Sequence, residues 1–162
     1  MVHGLRKFLQ LSLDGNPSVV ELLFAPPTHV TVCDPDGAEL LELRQRIVSE
    51  RALPRFLGYL RGQLKKAAPD HDRAPKWASH AVRLALQALE LRTTGALTLP
   101  LQYGDADYCR RVKVGEVPVD DAVATARRLA ARAEGAASVL PADPDRGTVQ
   151  QWLVARSLAR YR

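Results

Sequence analysis

Between Lys76 and Arg92 apolar residues fall on almost every side of a helical wheel, and a helix of that kind is stable only when most of its surface is buried. Trp77, Ala81, Leu84, Ala88 and Leu91 make one stripe, and Val82, Ala85, Leu86 and Leu89 widen it to most of the circumference. What remains is a narrow polar line, Lys76, His80, Arg83, Gln87 and Glu90, at alternating steps of four and three. That spacing sets these side chains along one helix face. Whatever the chain folds into has to be built around this segment.

The flanking sequence supplies the rest of a small core. Leu5, Phe8, Leu9 and Leu13 predict an opening helix that Gly15 stops, and Asn16-Pro17 offers a cap and a first-turn residue for the next element. Val19 to Phe24 is a short apolar run that periodicity leaves open between helix and strand. Thr28 to Val32, rich in β-branched residues, predicts a short strand, and Asp34-Pro35-Asp36-Gly37 a turn. Further helices are predicted over Ala38–Ser49, Leu53–Ala67, Asp105–Val112, Pro118–Glu134 and Thr148–Arg160. Pro69 to Pro75 reads as a polar loop, and Ala96 to Leu101 as another short strand. The expected fold is α+β and mainly α-helical, with about six helices and two or three short strands. No internal repeat divides the 162 residues, so a single domain is expected.

Composition excludes several classes. Hydrophobic residues at 46% and charged residues at 25% are those of a globular chain. No apolar run reaches membrane-spanning length and no secretory pattern follows Met1, so a cytoplasmic protein without membrane contact is expected. Cys33 and Cys109 lack metal-type spacing and read as reduced thiols. Lysine and arginine total 23 against 18 acids, a net +5 that modestly favours phosphate-bearing partners. Aromatic content of 6% argues against a stacking platform for single-stranded nucleic acid. No P-loop, nucleophile elbow, zinc-protease helix or paired Cys-x-x-Cys occurs.

The polar line on the buried helix carries the best chemical signal. Lys76, His80 and Arg83 cannot be turned into a dry core without large cost, so they must face water, a carboxylate or a bound anion. Their ammonium, imidazole and forked guanidinium suit phosphate oxygens, although spacing alone favours the solvated face of a mostly buried helix. Glu21 is the sole acid within Val19 to Phe24, and such a carboxylate is either a ligand for magnesium or an outward-pointing surface residue. The Asp-x-Asp spacings at 34/36 and 70/72 lie in turn-rich loops, where aspartate caps, and His29 reads as an outward strand residue.

Three stretches resemble a known family. Leu5-Arg6-Lys7-Phe8-Leu9 with Gly15-Asn16-Pro17-Ser18-Val19-Val20-Glu21-Leu22-Leu23-Phe24 is similar to the opening signature of the nucleotidyltransferases of the DNA polymerase beta superfamily known as the RNA repair pathway type. Phe56-Leu57-Gly58-Tyr59 with Gln63-Leu64-Lys65-Lys66 resembles the second block of that family. Lys76-Trp77-Ala78-Ser79-His80-Ala81-Val82-Arg83-Leu84, running to Thr94-Gly95, resembles its third, a Lys-x-x-x-His-x-x-Arg-Leu helix. Lys113-Val114-Gly115-Glu116 and Leu140-Pro141 fit its tail.

The resemblance implies nucleotide transfer from a nucleoside triphosphate to a hydroxyl, with Lys76, His80, Arg83, Lys65 and Lys66 binding the phosphates of the nucleotide or of an RNA end. It also implies magnesium, with Glu21 the one acid in a matching motif. Family members place a Gly-Ser turn and an Asp-x-Asp strand before the opening signature, where this sequence has only Met1 to Gly4. The expectation is therefore the C-terminal part of such an enzyme, active only when the catalytic segment is supplied, with residues 1–37 a remnant of the sheet region and 38–162 helical. A protein partner or a second copy would then cover the incomplete sheet. The alternative is a non-catalytic binding or structural protein of the same descent.

Overall fold

The computed structural model describes residues 4–67 and 71–159. Among these residues every regular element is helical, and the helix predicted around Lys76–Arg92 is the longest, α6 at Ala74–Thr94. It is preceded by α1 (Leu5–Leu13), α2 (Pro17–Leu23), a 3-10 turn (Pro27–His29), α3 (Pro35–Glu42), α4 (Arg44–Ile47) and α5 (Ala52–Lys66). After it come α7 (Tyr103–Lys113), α8 (Val119–Gly135) and α9 (Arg146–Ala159). None of the described helices is long and apolar enough to cross a membrane.

Helix α6 is the axis of the molecule, and α5, α7 and α8 pack against it. Ala78, Ala81, Val82, Leu84, Ala85, Ala88 and Leu91 are all buried, as the nearly continuous apolar wheel requires. Gly95 ends the helix in the left-handed conformation, at φ +73°. Helix α8 presents Ala122, Ala126 and Ala133, small side chains that let its backbone approach α6 closely, while Phe56, Leu57 and Leu60 anchor α5. The N-terminal helices form a second layer: α2 packs on α1 and α5, and α9 closes over α1 and α4.

The α+β expectation is therefore corrected to an all-helical fold among the described residues. Val19 to Phe24, left open by its pattern, lies in α2 apart from Phe24, which caps it. Thr28 and His29 belong to the 3-10 turn, whose φ angles the adjacent prolines Pro26 and Pro27 favour. Val30 to Val32 joins no strand among the described residues, Val30 N donating only back to the Pro27 carbonyl at 3.1 Å, and Val32 is almost fully exposed. Ala96 to Leu101 is irregular and is tied to α6, with Thr98 N donating to the Glu90 carboxylate at 3.0 Å. A β-branched run forms a strand only where a neighbouring strand and a packed face are available, and neither is offered here. Of residues 1–37, expected to be a sheet remnant, the described residues 4–37 hold α1, α2, the 3-10 turn and the start of α3 instead.

Smaller corrections concern boundaries. Asp34 does not close a turn but caps α3, its carboxylate accepting from Gly37 N at 2.7 Å. The helix expected over Ala38–Ser49 is two, broken at Leu43. Asp70 and Arg160, which bear on the 70/72 spacing and on the end of the last helix, lie outside the described residues.

A candidate anion-binding face on helix α6

The polar line survives in three dimensions as a gradient of burial. Lys76 is exposed at the start of α6, His80 and Arg83 are half-buried, and Gln87 is completely enclosed. Glu90 is absorbed by the connection that follows α6, through Thr98. Lys76 makes no ion pair with any described residue.

Arg83 meets Glu21 of α2, with Nη2 lying 3.6 Å from Oε1. The side chains are 41% and 20% exposed, so the pair sits at the edge of the core and is only partly screened. At 3.6 Å it is looser than a charge-assisted hydrogen bond. The Nε of Arg83 is buried and has no hydrogen-bond partner among the described residues. His80 lies in the same field: burial holds its imidazole below the ordinary range, and the charges of Arg83 and Lys76 push it further down. The field of Arg83 extends to α7 as well, where it opposes the burial and the Asp105 charge that raise the Cys109 thiol to about 11. Ser79 Oγ donates to the Cys109 carbonyl at 2.7 Å and fixes α7 against this end of α6.

The position of Glu21 is a consequence of the turn before it. Gly15 adopts φ +73°, and a Cβ there would lie 2.5 Å from the Ala52 Cα, so only glycine admits this approach of the α1–α2 turn to α5. Asn16 then caps α2, its side-chain oxygen accepting from Ser18 N at 3.1 Å, and Pro17 supplies the first turn. The Asn16 side-chain amide also donates to the Tyr59 hydroxyl of α5 at 3.1 Å. The Gly-Asn-Pro stretch is thus a structural hinge that aims α2, and with it Glu21, at α6.

Three stretches that are distant in sequence therefore meet: Asn16 with Tyr59, and Glu21 with Arg83. Lys65 and Lys66 are exposed in the last turn of α5. Lys65 borders a depression of about 420 Å³ between α5 and α8, lined by Leu57, Leu60 and Leu64 and not by Lys76, His80 or Arg83. Among the described residues no three His, Cys, Asp or Glu side chains come together as a metal-holding group. Gln87 is a residue whose role the sequence hides. Its place on the polar line is visible, but its enclosure depends on how neighbouring helices pack.

A family model described as the RNA repair pathway DNA polymerase beta family matches residues 1–117. No curated protein and no solved structure matches the chain.

Proposed function

The chain belongs to the RNA repair pathway DNA polymerase beta family, and on that premise we propose that the α6 face of Lys76, His80 and Arg83 binds the phosphates of a nucleoside triphosphate, or of an RNA end, for nucleotide transfer. The observation that carries this reading is the half-buried Arg83, whose guanidinium meets a single carboxylate at 3.6 Å and keeps an unpaired Nε. A guanidinium so placed has donors to spare, and a phosphate matches its fork.

In the transfer, an acceptor hydroxyl oxygen bonds to the α-phosphorus and the bond from that phosphorus to the bridging oxygen breaks, releasing pyrophosphate. Such reactions depend on positioning and charge neutralisation. Arg83 would clamp two phosphate oxygens, Lys76 would contribute a mobile positive charge from the exposed end, and His80 would donate an N–H from between them. The hydroxyl proton leaves to a base outside these residues. Glu21 alone, facing a guanidinium, does not make a magnesium site. The acids that the family resemblance associates with magnesium would come from outside the residues described.

A second reading, phosphate binding without transfer, is favoured by one observation: the acid in the matched motif is engaged with Arg83 rather than free. The two readings share a first test. Titration of the whole chain with each nucleoside triphosphate should raise its melting temperature, and Lys76→Ala and Arg83→Ala should each weaken binding by roughly 1.5–3 kcal/mol. Glu21→Gln separates the roles of that residue. If Glu21 only holds Arg83, binding without magnesium tightens in the variant; if it is a magnesium ligand, the magnesium-dependent part of binding is lost. Absence of any nucleotide-dependent shift in the wild-type chain refutes both readings. Transfer of labelled nucleotide to an RNA 3′ hydroxyl, with the Asp-x-Asp segment supplied, distinguishes the enzyme from the binder.

A further inference from the structure

Gln87 is completely enclosed, yet neither its side-chain oxygen nor its nitrogen has a hydrogen-bond partner among the described residues. Its enclosed neighbours on α6, Leu84, Ala85, Ala88 and Leu91, carry no side-chain polar atom to satisfy. An unpaired carboxamide in such a place lowers stability, and a leucine or methionine of similar volume would fill the space without that cost. One turn earlier the Nε–H of Arg83 is likewise buried and unpaired among the described residues. The two groups are complementary, since one is an acceptor and the other a donor. They also stand four residues apart on one helix, the spacing at which side chains are neighbours.

We infer that Gln87 is a positioning residue for Arg83: when the guanidinium turns from Glu21 to a phosphate, its Nε–H donates to the Gln87 side-chain oxygen. This rests on the reading of Arg83 as a phosphate ligand and adds what fixes it. The loose contact with Glu21 constrains only one end of the guanidinium, through Nη2. Pairing Nε with Gln87 leaves both Nη groups free and sets the plane in which they can grip two phosphate oxygens. A glutamate at this position would neutralise the guanidinium as Glu21 does, and an apolar residue would leave its plane undefined. Glutamine is neutral and accepts, so it can orient Arg83 without competing with the anion. Glu21 and Gln87 then define two arrangements of one side chain, a resting one and a liganded one.

The test uses the full chain with inorganic tripolyphosphate as probe, comparing wild type, Gln87→Met, Arg83→Ala and the double variant. Gln87→Met should raise the melting temperature of the free protein, because a buried unpaired amide is removed. It should also weaken tripolyphosphate binding roughly tenfold. A residue with a purely structural role would not move stability and affinity in opposite directions. In the Arg83→Ala background the same change should cost no affinity. A measurement on the wild type alone completes the set: the Arg83 Nε–H signal in a nitrogen-correlated NMR spectrum should become protected from exchange when tripolyphosphate saturates the site. Unchanged affinity in Gln87→Met, an equal loss in both backgrounds, or an Nε–H that stays unprotected at saturation overturns the inference while leaving the phosphate site standing. A wild-type chain that does not bind tripolyphosphate overturns the underlying reading, and the inference with it.

Discussion

At His80, burial and charge act in the same direction. Removal from water disfavours the imidazolium, and the neighbouring guanidinium and ammonium of Arg83 and Lys76 disfavour it further, so the ring is neutral in the free protein at pH 7. In the unfolded chain the same ring titrates near its ordinary value of 6.5. Below that value the unfolded state takes up a proton that the folded state declines. Stability is thus held above about pH 6.5 and lost as pH falls towards the folded pKa. A bound phosphate reverses the local field, because its negative charge favours the imidazolium over the repulsion from Arg83 and Lys76. Tripolyphosphate affinity should therefore strengthen between about pH 7.5 and 5.5, more steeply in the wild type than in His80→Gln. Calorimetric titration of both proteins across that range checks this, since protonation of the polyphosphate itself is common to the two. Equal slopes would mean that His80 does not face the anion.

The helices differ in how much of them could be read in advance. Helix α6 was legible because its pattern has the 3.6-residue period over many turns, and the expected line from Lys76 to Glu90 is found on one face. Thr28–Val32 and Ala96–Leu101 misled because β-branched content reports a fit to a pleated surface that this fold does not provide. The pairing of Glu21 with Arg83 was hidden for another reason: it depends on the direction α2 takes after Gly15, which no periodicity encodes. That turn makes its own prediction. Gly15→Ala places a Cβ at a positive φ and against the Ala52 backbone, so it should destabilise the protein by roughly 2–4 kcal/mol in urea unfolding. Gly95 has the same φ of +73°, but a Cβ there meets only Val139 and Leu140 side-chain carbons at 3.6 and 3.8 Å. Gly95→Ala should therefore cost only about 1–2 kcal/mol, the conformational part alone. Similar losses at both sites would show that the close approach to α5 contributes nothing, and that the α1–α2 hinge is free to re-aim Glu21.

Across the whole molecule, the family match and the physical core do not share a boundary. The match ends at Val117, before α8, yet α8 covers one flank of α6 and buries Ala122, Ala126 and Ala133 there. Tyr108 of α7 also donates to Thr125 Oγ1 of α8 at 3.2 Å. A helix hydrophobic on most sides cannot leave one flank in water without losing the burial that orders it. The last helix is attached differently. Val149 is buried and Trp152 and Leu153 pack partly buried against the core, and polar contacts add to these: Arg146 with Asp14 at 3.1 Å, the Trp152 indole donating to Glu39 at 2.8 Å, and Arg156 with Glu39. Exposed ion pairs of this kind add little each. Helices α8 and α9 are therefore of two kinds: α8 completes the core, and α9 closes over the N-terminal layer. A fragment of residues 1–117 should accordingly lose cooperative urea unfolding and expose an apolar surface that binds an anionic naphthalene dye. With it should go the arrangement of His80 and Arg83, and any response to tripolyphosphate. Were the fragment to unfold cooperatively and still bind, the matched region would be a self-sufficient unit, and α8 would be a cover laid over a helix that is stable without it.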